Sequence, residues 1–243
     1  MAEMISVTTT VRCLFGPNVI PWTNMLPPSN RAKLQTHYRF NDVRQTLADP
    51  NGSPIQFLFL GGEFQLKGTP RAVEQLVFEP NAIQFQVVMT SDESKLFMND
   101  LSTVLVDLGS DARFSWDLAH AKVYQTAAVV RLTVAHTALM SEELERFISK
   151  TVVPAFALPD AKAEVTLERL GWRVSYQTQS ADFLYLPKVF TIEPRAGSKP
   201  SDRLYFTQSP TDYKKHLELL TQFEEMLGHE GAGRKRGSKS KTE

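Results

Sequence analysis

The chain has 243 residues, 42% of them hydrophobic, which suffices for a sizeable core in one large domain or two closely packed small ones and excludes disorder as the default. No run approaches the ~18 apolar residues that cross a bilayer, and the lone Cys13 excludes an internal disulfide framework or a cysteine zinc cage. Net charge is zero, but residues 229–243 hold Arg234, Lys235, Arg236, Lys239 and Lys241 against Glu230 and Glu243, so the body has three more acidic than basic residues, which argues against a broad phosphate-binding surface.

Residues 5–15 alternate strictly, with Ile5, Val7, Thr9, Val11, Cys13 and Phe15 on one face, and predict a strand with one buried side. Ser and Thr alternate with apolar residues there, where a signal peptide needs a continuous apolar block, so the expected location is cytoplasmic, or nuclear in a eukaryote. Residues 16–30 carry Pro17, Pro21, Pro27 and Pro28 and read as a long irregular connection around Trp22. Leu34, Thr36, Tyr38 and Phe40 suggest a second strand. From Ile55 a meander is expected, with turns at Gly61-Gly62 and at Glu79-Pro80-Asn81. Thr90 and Glu93 have capping-box spacing ahead of Phe97, Leu101, Val104 and Leu108, which predicts a helix over 91–108 closed by Gly109.

The second half predicts a strand over 123–136 and a short helix opened by Ser141 and ended by Pro154. Strands follow over 165–170, turning at Gly171 into 172–177, then over 183–192 and 203–207. Ser209, with Pro210 after it and Asp212 in the first turn, predicts an N-cap for a helix to Leu227, where Gly228 stops it; residues 229–243 are expected to be a disordered basic tail.

The same landmarks return in order: Leu60-Gly61 and Leu170-Gly171, Glu79-Pro80 and Glu193-Pro194, Gly109 and Gly228. The expected fold is therefore α+β, as two diverged repeats of a mostly antiparallel sheet, each closed by a long C-terminal helix. Residues 1–110 form the first repeat, 111–228 the second, packed on it. The order of elements over 120–228, strand, helix, four strands, helix, resembles the TATA-binding-protein-like or helix-grip arrangement. The resemblance implies a curved antiparallel sheet with the last helix against one face. In the first half the proline-rich segment stands where the first helix of that pattern belongs.

Catalytic signatures are scarce. There is no glycine-rich phosphate loop, paired-histidine metal motif or Gly-x-Ser-x-Gly elbow, so neither an enzyme nor a metal or other cofactor is expected. The most polar constellation gathers Asp111, Arg113, Asp117 and His120 around Phe114 and Trp116 and reads as an inter-repeat linker anchored by its aromatics. His216 lies on an apolar helical stripe and Cys13 on a buried strand face, both placements of packed core residues. Aromatics in loop contexts present anchors to a partner, so Trp22, Met25, Phe114 and Trp116 are the candidate partner-binding residues. The expected function is a non-enzymatic adaptor, sensor or assembly subunit that recognises a protein partner through loop aromatics or the sheet face. Alternatives are a helix-grip carrier of an apolar small molecule or lipid, and weak nucleic-acid association through Arg234, Lys235, Arg236, Lys239 and Lys241.

Overall fold

The computed structural model describes residues 2–20, 22–47, 54–109, 114–133, 147, 150–151, 169–173 and 189–234. Strand β1 (Glu3–Phe15) leads through α1 (Trp22–Met25) and α2 (Pro28–His37) to a meander of β2 (Asp42–Leu47), β3 (Pro54–Leu66), β4 (Thr69–Glu79) and β5 (Ala82–Val87), closed by α3 (Ser91–Asp107). A 3-10 turn at Trp116–Leu118 opens β6 (Ala119–Arg131); β7 (Leu170–Arg173), β8 (Val189–Pro194), β9 (Leu204–Ser209) and α4 (Tyr213–Arg234) complete the described elements. The helix expected after Ser141 and most of the strands expected over 165–188 fall outside the described residues.

Among the described residues nine strands join one sheet in the order β2-β3-β4-β5-β1-β6-β9-β8-β7, with every described pair antiparallel. The two halves meet at β1 and β6, paired from Glu3 opposite Arg131 to Phe15 opposite Ala119. Because side chains alternate along each strand, Val11, Cys13 and Phe15 of β1 turn to one face. There they pack with Phe97, Leu101 and Leu105 of α3 and with Leu34 of α2. On that same face Ala128 and Val130 of β6 and Tyr205 of β9 meet Leu220 of α4. The protein is α+β in two layers, helices on one side of an antiparallel sheet. Among the described residues no helix is long and apolar enough to cross a membrane.

α3 starts as its sequence dictates. Thr90 Oγ1 accepts from the Glu93 N–H at 3.3 Å, and Glu93 Oε2 accepts from the Thr90 N–H at 2.9 Å, satisfying two end donors reciprocally. Gly109 follows the helix at φ +91°.

Several local expectations are corrected. Residues 28–37 form a helix, so the first half does carry one where an irregular proline-rich connection was expected. Pro28 sits at the first helical position, where its missing N–H costs nothing. The period-two reading of 34–40 fails because buried Leu34 and Tyr38 are an i, i+4 pair on one helical face. Gly61-Gly62 is not a hairpin turn, because β3 runs through it; the turn is Lys67-Gly68, both at positive φ (49° and 80°) as a two-residue hairpin requires. Gly62 is needed for another reason: a Cβ there would stand 2.5 Å from the Phe40 ring. Gly171 likewise lies within β7, opposite Thr191. Finally, Asp212 rather than Ser209 caps α4, accepting from the Lys215 N–H at 2.9 Å, and the helical backbone continues through Gly228 to Arg234.

Candidate functional site

The loop leaving β1 and the turn between β4 and β5 are tied together by the Phe15 N–H donating to the Asn81 carbonyl at 2.9 Å. Asn18 adopts a left-handed conformation (φ 63°), one that asparagine tolerates well, and the chain re-enters as α1. Between these segments lies a groove of about 440 Å³ lined by Pro17, Asn18, Ile20, Trp22, Thr23, Pro80 and Asn81. Trp22 is half-buried, and its ring packs on that of Phe57 at 5.0 Å between centroids. The Arg31 guanidinium lies 4.7 Å from the centre of the same Phe57 ring, and Arg31 also donates to the Met25 carbonyl at 2.7 Å and to that of Leu26. Trp22 thus forms a rigid apolar wall with no ionisable side chain along the groove. Such a lining suits an uncharged surface held by burial, with Asn18, Asn81 and Thr23 as polar edges.

The other sequence candidates sit differently. Met25 is fully buried, and Phe114 and Trp116 are 7% and 6% exposed. Their rings pack on each other at 5.5 Å and on Phe15 at 5.7 and 6.1 Å, and Trp116 Nε1 donates to the Met98 carbonyl at 2.6 Å. Burial makes these three part of the core beneath α3 instead of surface contacts. Asp117 is exposed and pairs with Lys122 at 3.2 Å; His120 is exposed two positions from Leu118, while Asp111 and Arg113 lie outside the described residues. Arg234 ends the described part of α4, and Lys235, Arg236, Lys239 and Lys241 lie beyond it.

A buried polar seam runs between the two apolar clusters. Thr9 Oγ1 donates to the Met89 carbonyl and Thr126 Oγ1 to that of Thr211, each at 2.8 Å, and the two threonines face each other across β1 and β6. Ser91 Oγ accepts from the Tyr213 N–H at 3.1 Å, linking the starts of α3 and α4. His216 is fully buried, with Nδ1 2.7 Å from Ser209 Oγ and Nε2 2.9 Å from Thr207 Oγ1; burial pushes its pKa down to about 4. A serine and histidine at this distance suggest nucleophile chemistry, but both are closed to solvent, and the pair holds α4 to β9.

One polar cluster escaped the sequence reading because its members are far apart in the chain. Tyr38 donates to Asp100 Oδ2 at 2.7 Å, and His37 Nε2 lies 3.3 Å from the same oxygen. Burial, with the Asp100 carboxylate, raises the Tyr38 phenol far above its usual range. These residues, with Arg39, Glu63, Phe64 and Gln65, line a cleft of about 260 Å³. A second cleft adjoins it through Arg39 and Glu63 and continues over Asn41, Gly61, Gly62 and Arg71. The only sequence signal was the Gly61-Gly62 pair, which marks where β3 passes close beneath Phe40 and Asn41. Among the described residues no group of three or more His, Cys, Asp or Glu side chains is placed to hold a metal ion. No protein-family model matches the chain, and no curated protein sequence matches it significantly.

Proposed function

We propose that the chain is a non-enzymatic binding protein, an adaptor or assembly subunit, that receives a protein partner in the groove beside Trp22. The observation that carries this reading is a half-exposed indole fixed against Phe57 in a groove walled by Pro17, Ile20 and Pro80 and free of charge. Rigid aromatics in such settings dominate interface energetics.

We also infer a duplicated TATA-binding-protein-like architecture as the frame of this activity. What supports it is the strand order, which runs outward from the β1–β6 junction through the last strand of each half, β5 and β9, to earlier ones. Thr9 and Thr126 make matching bonds, each to the connection between its own half's last strand and closing helix. Pro80 directly follows, and Pro194 is the final residue of, the strand before that last one.

The alternatives fare less well. A ligand gripped between the sheet and α3 would need the space that Phe97 fills with ring contacts to Tyr38, Phe64 and Phe85. Nucleic acid on the sheet face opposite the helices would meet Arg12, Arg44, Arg131 and Arg169, each engaged with a carboxylate at 2.6 to 2.9 Å.

The test is Trp22→Ala in a tagged chain purified gently from its source and examined by native mass spectrometry beside the unchanged chain. The partner mass should disappear from the variant, reflecting a loss of about 2 kcal/mol or more at a central anchor, while thermal stability changes little. Retention of the partner by the variant would sink the proposal, and a collapse of stability would reassign Trp22 to the core.

A further inference from the structure

We propose that the cleft over Gly61 and Gly62 is an oxyanion site that takes the phosphate group of a small molecule. The cleft, about 510 Å³, draws Arg39 from the α2–β2 connection and Arg71 from β4 to one opening, with Asn41 between them. These two arginines differ from those on the opposite sheet face in how their hydrogen bonds are used. Arg12, Arg44 and Arg131 each meet a carboxylate at 2.6 Å and Arg169 at 2.9 Å, the normal length of a charge-assisted pair.

Arg71 approaches Glu93 only to 3.5 Å, makes no hydrogen bond to the described residues, and leaves its Nε buried without a partner. Glu93 is not free to close that gap, because its Oε2 accepts from both the N–H and the hydroxyl of Thr90 in the α3 cap. Arg39, held at φ 52° with its side chain 72% exposed, makes one long contact to Glu63 at 3.3 Å. Glu63 is the one carboxylate among the cleft's lining residues, and its other oxygen already accepts from Gln65 at 2.8 Å.

Two underused guanidinium forks are the donor set that a tetrahedral oxyanion fits, since each presents paired N–H groups at oxyanion spacing. The Asn41 amide, packed on Gly61, adds a neutral donor, and the two glycines let Asn41 and Phe40 lie close against β3 at the edge of the cleft. The volume exceeds what one phosphate fills and accommodates a small organic remainder. This inference is independent of the Trp22 groove, which shares no residue with it.

The test is a backbone-amide NMR titration of the full chain with inorganic phosphate, glycerol phosphate and acetate at constant ionic strength. Saturable shifts are expected at residues 39–41, 61–63 and 71–72 for both phosphates. Affinity should fall about tenfold or more in Arg71→Gln and in Arg39→Gln and be unaffected in Arg44→Gln. If Arg71→Gln does not fold, Arg39→Gln, whose side chain is largely in solvent, decides alone. Absence of saturation at about 10 mM phosphate, acetate binding as tightly as phosphate, or undiminished binding in the folded variants would overturn the assignment.

Discussion

Acid should loosen this fold through His216 before most of its other contacts are touched. In the folded chain the imidazole is fully buried and neutral, with both ring nitrogens on hydroxyls, and its pKa lies near 4, against about 6.5 in an unfolded chain. The folded pKa is the lower one, so the unfolded state takes up the proton first. The associated stability is therefore complete above about pH 6.5 and drains away as pH falls toward about 4. A separation of some two and a half pH units corresponds to about 3 kcal/mol, a large share of the 5–15 kcal/mol that holds a typical domain together. Urea titrations followed by tryptophan fluorescence at pH steps across that window should give a midpoint that falls steadily for the unchanged chain. His216→Gln should start lower and have a flatter profile, and the difference between the two curves removes the carboxylates that titrate in both. Parallel curves would refute the reasoning.

Gly62→Ala should cost about 1–3 kcal/mol by overpacking, since its methyl would meet the Phe40 ring at 2.5 Å and the Tyr38 carbonyl at 2.9 Å; differential scanning calorimetry showing an unchanged melting temperature would count against the close crossing. Cys13 should be inert in the native state, because it is fully buried and burial pushes its thiol up to about 12. An aromatic disulfide reagent at mildly alkaline pH should label it only after denaturant is added, and rapid labelling of the folded chain would contradict its placement. Thr90→Ala should remove the α3 capping box at a cost of about 1 kcal/mol, read as a lowered urea midpoint.

Features encoded within a few residues were legible in the sequence. The α3 cap is one, since Thr90, Glu93 and the apolar stripe all lie within one stretch. The face of β1 carrying Val11, Cys13 and Phe15 is another. α2 was misread because Leu34, Thr36, Tyr38 and Phe40 satisfy a strand's period, whereas in the helix only Leu34 and Tyr38 share the buried face and Thr36 turns to solvent. The start of α4 shifted from Ser209 to Asp212 because Ser209 still belongs to β9, where its hydroxyl serves His216. Of the candidate site, Trp22 was visible as an aromatic among prolines, but its groove depends on a turn some sixty residues away at Pro80. The Arg39–Arg71 cleft was invisible for the same reason: neither arginine has a local pattern, and only the crossing of β3 beneath Asn41 brings them to one opening.

The β1–β6 junction also carries a consequence for synthesis. As the chain emerges from the ribosome, β1 can pair with β5 and accept α3 while everything after residue 109 is still unmade. Until β6 arrives, the other edge of β1 stands open over its full length, a row of unpaired backbone groups able to recruit strands from neighbouring nascent chains. β6 follows α3 after only a short connection, so the exposed interval lasts about as long as it takes to make twenty-odd residues, roughly a few seconds at 5–20 residues per second. A slow translation stretch between α3 and β6 would lengthen that exposure and lower soluble yield, whereas the same pause after Arg131 would leave β1 already sealed.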